Sequence, residues 1–326
     1  MNRDSRLGAL RATLQGLGLA AWLLASIGAR AQTGDSGALP QAQRLSPHVL
    51  LFQGLSAAGS RENRNNISNA GLIETRSGWV LVDALGSPAL ARELLARLPT
   101  LSSPPKPLRQ VILTHYHADH IYGLQVFKAA GAQIIAHQRA REYLNSDTAA
   151  LRLKASIEEG LVEPGTQLVA ADRWIDGETE LELDGLNLRL IPVGPAHTPE
   201  DLSVWLAADR LLFAGDLVFS GRIPFVGQAD SRRWLASLDR LLMQPATLIV
   251  PGHGPASTAA RQDLLQTRDY LAYLRSTMGQ AAREMRPFDE AYAATDWSRY
   301  EALPLFKLAN RMNAYNTYLL MEQERD

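Results

Sequence analysis

Cysteine is absent from all 326 residues. The chain therefore has no disulfide, no thiolate metal ligand and no cysteine nucleophile. Any metal it holds must sit on His, Asp, Glu or main-chain oxygen. An excess of charge is missing too: 33 Lys+Arg stand against 34 Asp+Glu, a formal net charge of −1. That balance gives no global basic field for nucleic acid and no acidic solvating tail. The apolar run at 17–27 is too short to span a hydrocarbon core of ~30 Å, which argues against a permanent membrane anchor. What remains is the composition of an ordinary soluble globular protein, 46% hydrophobic and 21% charged. The length allows about two domains, or one large α/β domain with an appendage.

The first residues read as an export signal. Arg3, Arg6 and Arg11 precede the apolar block, and Ala29-Arg30-Ala31 forms an A-x-A site before Gln32. Cleavage near Ala31 places the mature protein in the periplasm or outside the cell and leaves it acidic. Residues 32–46 are small, polar and Pro/Gly-containing, and read as a flexible leader.

Short apolar runs bounded by turn residues predict strands over 49–53, 71–75 and 79–82. The polar stretch 61–66 (RENRNN) between the first two is expected to be a mobile loop, and the sequon Asn66-Ile67-Ser68 to be a chance occurrence. Ser87 and Pro88 open a helix over 88–98. A strand over 110–113, a helix over 120–130 and a strand over 133–136 give an α/β rhythm. From about Trp174 the texture turns to strands, 178–183, 187–191, 202–206 and 211–214, with Asp184-Gly185 as a hairpin turn. A helix over 231–243, a strand over 248–250 and a helical region over 256–326 complete the reading. The pattern implies two sheets sandwiched between helices, with a main domain over 47–255 and a C-terminal helical extension.

Three of the seven histidines fall within six residues, His115-Tyr116-His117-Ala118-Asp119-His120. In an extended segment after a strand, His115 and His117 point to the same side. Asp119 and His120, at the start of the next helix, turn toward a second point, so one loop can serve two metals. His197, Asp216 and His253 each follow a strand, in loops stiffened by glycine and proline. Loops at strand ends are where a rigid scaffold presents ligands. His48 lacks such a context and reads as structural. His137 reads as a helix-opening cap or surface residue. Asp83 fits either a turn or a partner that orients a ligand histidine.

Thr114-His-Tyr-His-Ala-Asp-His120, His197-Thr198, Gly215-Asp216 and Gly252-His253-Gly254 occur in an order that resembles the metallo-β-lactamase superfamily. The resemblance implies an αββα four-layer sandwich. It also implies one metal on His115, His117 and His197, a second on Asp119, His120 and His253, and Asp216 bridging both. Subclass B1 β-lactamases place a cysteine where Asp216 stands; the aspartate resembles the glyoxalase II type. The segment 195–205 looks like B1 enzymes, but their basic residue is not matched, since Leu217, Val218 and Phe219 follow Asp216. Arg222 is the candidate substitute. The segments 221–230 and 310–318 are similar to exported metallo-hydrolases associated with quinoprotein dehydrogenases and with sulfur oxidation.

The expected activity is an exported dinuclear hydrolase with two zinc ions, iron or manganese being the alternatives that an all-nitrogen and oxygen set also suits. A hydroxide between the metals would attack an ester, thioester, lactone or lactam carbonyl, with Asp119 orienting it and taking its proton. Tyr122, Thr198 and Arg222 are candidates for the pocket or its support; for Tyr122 and Arg222, packing or surface roles compete. The alternatives are a β-lactamase proper, a persulfide-dioxygenase type with one iron on His115, His197 and Asp216, and a metal-dependent binding protein serving a periplasmic dehydrogenase. The expected partner is a small-molecule substrate rather than nucleic acid.

Overall fold

The computed structural model describes residues 38–227 and 229–324. The export-signal reading falls on residues outside these. Two sheets form the centre. The first has seven strands in chain order: β1 (Gln43–Arg44), β2 (Val49–Phe52), β3 (Ala70–Glu74), β4 (Trp79–Val82), β5 (Leu108–Ile112), β6 (Gln133–His137) and β7 (Arg173–Ile175). β1 to β4 pair antiparallel and β4 to β7 parallel. The parallel pairs need helical crossovers, supplied by α1 (Pro88–Leu101), α2 (Ala118–Ile121), α3 (Leu124–Ala129), α4 (Ala140–Leu144) and α5 (Asp147–Glu158).

The second sheet has five strands, β8 (Thr179–Leu183), β9 (Leu186–Pro192), β10 (Leu202–Leu206), β11 (Leu211–Phe219) and β12 (Leu248–His253). Asp184 and Gly185 turn β8 into β9 with positive φ at both positions, as a two-residue hairpin of this type requires. α6 (Ser231–Leu241) makes the crossover to β12. α7 (Ala260–Arg283), α8 (Phe288–Ala294) and α9 (Phe306–Gln323) follow. Among the described residues no helix is long and apolar enough to cross a membrane.

Three apolar clusters make the layering explicit. Val49, Leu51, Ile73, Val80, Val82, Ile112 and Ile135 face Leu188, Leu190, Val204, Leu211 and Phe213 between the sheets. The alternate residues Leu50, Phe52, Leu72, Leu81, Val111 and Ile134 pack outward with Leu90, Leu94 and Phe127. On the other side Trp205, Leu212 and Ile249 meet Trp234, Leu238, Leu271 and Leu274. The period of two that splits each strand between two clusters produces the αββα sandwich.

Four local expectations change. Leu39 is buried, its amide donates to Glu93, and β1 pairs with β2, so the leader reading fails from residue 38 onward. The stretch 61–66 is a tight turn that buries Asn63, Asn65 and Asn66 under hydrogen bonds, not a loose loop. His137 ends β6 opposite Ile175 rather than opening a helix. The helix expected over 120–130 is two, broken at Gly123, where a Cβ would lie 2.0 Å from the Ala84 carbonyl oxygen.

Candidate metal centre

All seven predicted donors meet at one edge of the sandwich. They form two groups: His115, His117, His197 and Asp216, and Asp119, His120 and His253. The loop after β5 and the short helix α2 that follows it supply four of the seven. Its course is fixed by the Leu113 amide on Ile135, the Leu202 amide on the Thr114 carbonyl, and the Thr114 amide on Asp83 Oδ1 at 2.8 Å.

Asp216 and His253 stand inside strands, not in loops after them. β11 runs on to Phe219 through a bulge at Gly215, whose φ is +56°. A bulge re-aims the next side chain, which here turns Asp216 to the sheet edge. Beside it, a Cβ on Gly252 would lie 1.9 Å from Asp216 Oδ1. Glycine at 252 is what lets β12 and His253 approach this carboxylate.

In the first group His117 Nδ1 lies 3.1 Å from His115 Nε2 and 3.0 Å from His197 Nε2. Asp216 Oδ2 is 3.3 Å from His197 Nε2 and 3.8 Å from His115 Nε2. In the second group Asp119 Oδ2 is 3.4 Å from His120 Nε2 and 3.2 Å from His253 Nε2. Asp216 reaches this group as well, Oδ1 at 3.2 Å from His120 and Oδ2 at 3.3 Å from His253. Donors bound to one cation at about 2.0–2.2 Å are about 3.3–3.6 Å apart across a tetrahedral edge, and these spacings bracket that value. Asp119 Oδ2, His120 Nε2 and Asp216 Oδ1 are buried and have no hydrogen-bond partner among the described residues. Buried polar atoms left so cost stability unless a ligand satisfies them. The residues therefore fit divalent cations held by nitrogen and oxygen donors.

Asp83 bonds toward both groups. Its Oδ2 accepts from His120 Nδ1 at 2.9 Å, and its carboxylate accepts the Thr114 hydroxyl, which in turn accepts from His115 Nδ1 at 3.0 Å. One carboxylate thus leaves Nε2 free on a histidine of each group. His253 Nδ1 donates to the Ile67 carbonyl at 2.8 Å, and its ring stacks on Phe219. His197 is held by ring edges instead, 5.2 Å from Trp234 and 5.9 Å from Phe219. Thr198 supports the His197 loop from below, donating through its amide and hydroxyl to buried Asp201.

Burial pushes the three histidines of the first group down, His117 to about 3 and His197 to about 4, so they stay neutral. Burial also works against charge in the second group, but the carboxylates outweigh it. Asp119, Asp83 and Asp216 raise His120, and Asp216 and Asp119 raise His253 to about 9. Burial likewise opposes ionisation of Asp119 and Asp216, yet the neighbouring histidines hold both below the usual carboxylate range.

Tyr122 is fully buried in the core beneath α1 and α3, so it packs rather than lines a pocket. Arg222 is at the site. It is only 6% exposed, lies over Phe219, and puts Nη1 3.4 Å from His253 Nδ1. Among the described residues it makes no ion pair with a carboxylate. His48 is elsewhere, on Asp209 at 2.6 Å.

Sequence reasoning missed the segment before β3. The Ile67 carbonyl holds His253, the Ser68 hydroxyl donates to the Asp119 carbonyl at 2.6 Å, and Asn69 donates to Pro251 and Gly254 at 2.8 Å each. Ile67, Ser68 and Asn69 are thus the seam that ties the histidine loop to β12. Its one visible signal was a run of amide and hydroxyl residues directly before a buried strand.

A metallo-beta-lactamase superfamily model matches residues 64–253. The beta-lactamase-like protein 2 homolog of Caenorhabditis elegans is 29% identical over 189 residues, 58% of this chain and 56% of that protein. The type 2 metallo-beta-lactamase of Bacillus cereus is 31% identical over 209 residues, 63% of this chain and 73% of that one. The chain thus spans little more than half of the first relative. In fold, it is similar to a stereoselective inverting sec-alkylsulfatase from Pseudomonas, with a TM-score of 0.68 at 19% identity, over 86% of this chain and 50% of that one. Coverage of that extent takes in part of the helical region beyond residue 255. Since the matched span of the family model runs from the seam before β3 through the last of the seven donors, the chain belongs to the metallo-beta-lactamase superfamily.

Proposed function

We propose that this metallo-hydrolase is an exported, dinuclear enzyme that uses zinc to hydrolyse an ester, thioester, lactone or lactam bearing a negative charge. The observation that carries the reading is the pair of donor groups sharing Asp216, with buried donor atoms that no group among the described residues satisfies. Zinc suits an all-nitrogen and oxygen set. His115, His117 and His197 would hold one ion, Asp119, His120 and His253 the other, and Asp216 both. Such ions supply Lewis acidity to a carbonyl and lower the pKa of water from 15.7 to about 7.

The protein's own groups do the rest. The side chain of Asp119 is 13% exposed against 4% for Asp216, so Asp119 is the carboxylate that faces an entering substrate. Held low by His120 and His253, it is an ionised acceptor for the proton of an attacking water. Asp83 keeps His120 and, through Thr114, His115 in fixed orientation. Arg222, buried and without a carboxylate partner among the described residues, favours a substrate that brings one. Export rests on the N-terminal pattern alone.

The test is turnover of three probes: mono-4-nitrophenyl succinate, which is anionic, neutral 4-nitrophenyl acetate, and nitrocefin for lactams. We expect hydrolysis that is lost on dialysis against a chelator and restored by zinc, with the succinate ester preferred over the acetate. No turnover of any probe by zinc-loaded protein would count against a hydrolase of this substrate class, and turnover unaffected by chelation would contradict metal dependence.

A further inference from the structure

The segment 222–227, which carries Arg222 to the metal centre, has no regular secondary structure. Four hydrogen bonds tie it to the C-terminal region, one to the turn before α9 and three to α9 itself. The Ile223 amide donates to the Pro304 carbonyl at 3.1 Å. Asn313 of α9, fully buried, accepts from the Val226 amide at 2.9 Å and donates to the Pro224 carbonyl at 2.7 Å. One turn further on, Asn316 donates to the Gly227 carbonyl at 2.6 Å. The remaining hydrogen of the Asn313 amide goes to the Tyr270 hydroxyl at 3.0 Å, and that hydroxyl donates to Asn310 Oδ1 at 2.8 Å. α7 and α9 are thereby locked to each other and to the segment.

We propose that Asn313 and Asn316 are positioning residues that fix the segment 222–227, and with it Arg222, against the metal centre. A buried amide with every hydrogen used is costly to place unless its partners stay put. Here the partners belong to a stretch of wall that lacks a ladder of its own. The helical extension is therefore part of the site's construction, and changes along the inner face of α9 alter how substrate is held without touching a metal ligand. The substrate half of this proposal rests on the hydrolase reading above; the structural half does not.

The experiment compares Asn313→Ala and Asn316→Ala with the unaltered full chain, before and after zinc loading. Hydrogen exchange of peptides covering 222–227 is the first readout. We expect Asn313→Ala to speed it at least about tenfold, as loss of a buried local bond does. Asn316→Ala should give a smaller change, while peptides from β11 and β12 and the zinc content stay as in the unaltered chain. Asn316 is half-buried, so that variant decides the matter if Asn313→Ala fails to fold. Kinetics are the second readout. The KM for mono-4-nitrophenyl succinate should rise about tenfold, the scale of a hydrogen bond to a charged group, with kcat changed by less than about twofold. The KM for 4-nitrophenyl acetate should not move. Exchange over 222–227 at the original rate in folded variants overturns the proposal, and so does loss of zinc or of kcat with KM unchanged. Exchange is read whether or not any ester is turned over, so failure of the hydrolase reading is told apart from failure of this one.

Discussion

The two donor groups of the centre are built from the same residue types, yet they hold opposite protonation states. His115, His117 and His197 are neutral because burial dominates around them, and one carboxylate, Asp216, stands among them. His120 and His253 are raised because Asp119 and Asp216, joined at His120 by Asp83, outweigh the same burial. The lesson is that carboxylate count, not histidine count, sets the character of each group. The first is a set of free lone pairs ready for a cation. The second is a network in which an entering cation must expel protons.

The comparison breaks most completely at the residue the two groups share. Asp216→Ala should empty both and lower activity by roughly 10³-fold or more, given that metal catalysis supplies several kcal/mol; metal analysis and the turnover rate check it. Removing one donor from each group should separate them. His117→Ala is expected to cost the ion of the first group and His253→Ala that of the second. Each leaves about one ion per chain where two-metal sites hold a pair. Asp83→Asn spares every donor but weakens the hold on His120 and His115 together. Loss of such an orienting partner costs about 10–100-fold in metal affinity or activity, so both groups should weaken by a similar factor in a zinc titration.

pH sharpens the contrast more gently. His253 is raised to about 9, so at neutral pH it carries a proton that a cation must displace. Affinity at the second group should therefore rise with pH up to about 9, by about tenfold per unit for each proton released. His117 and His197 lie at about 3 and about 4, so the first group should bind independently of pH above about 5. Zinc binding curves at pH 6 and pH 8 are predicted to shift for one site alone; equal shifts would contradict the assignment of protons to the second group.

The site was more legible in the sequence than its surroundings. Three histidines within six residues, and three more donors set among glycines and prolines, announce a centre by chemistry that does not depend on long-range packing. Elements defined by partners were harder to read. Gly215 reads as the end of a strand, and only pairing with β12 reveals a bulge that the strand crosses. β1 and β7 are too short to carry an alternation, and α5 packs only a narrow stripe, Ala149, Leu153 and Ile157, within a charged and alanine-rich sequence. His137 is buried by β7, whose own signal is three residues long. The asparagines at 63, 65 and 66 look like a loop tip, but Asn65 and Asn66 are held by Gly86 and Ala38, segments that sequence order does not connect to them. Asp83 fits a turn and a ligand-orienting role equally well in sequence; in the structure it bends the chain after β4 with positive φ and also bonds to His120.

Metal content per chain tests the account most directly, measured on the unaltered protein beside His117→Ala and His253→Ala. About two zinc ions per chain, falling to about one in each variant, is the predicted result for two groups joined through Asp216. About one iron per chain, or a metal content that neither substitution changes, would contradict it.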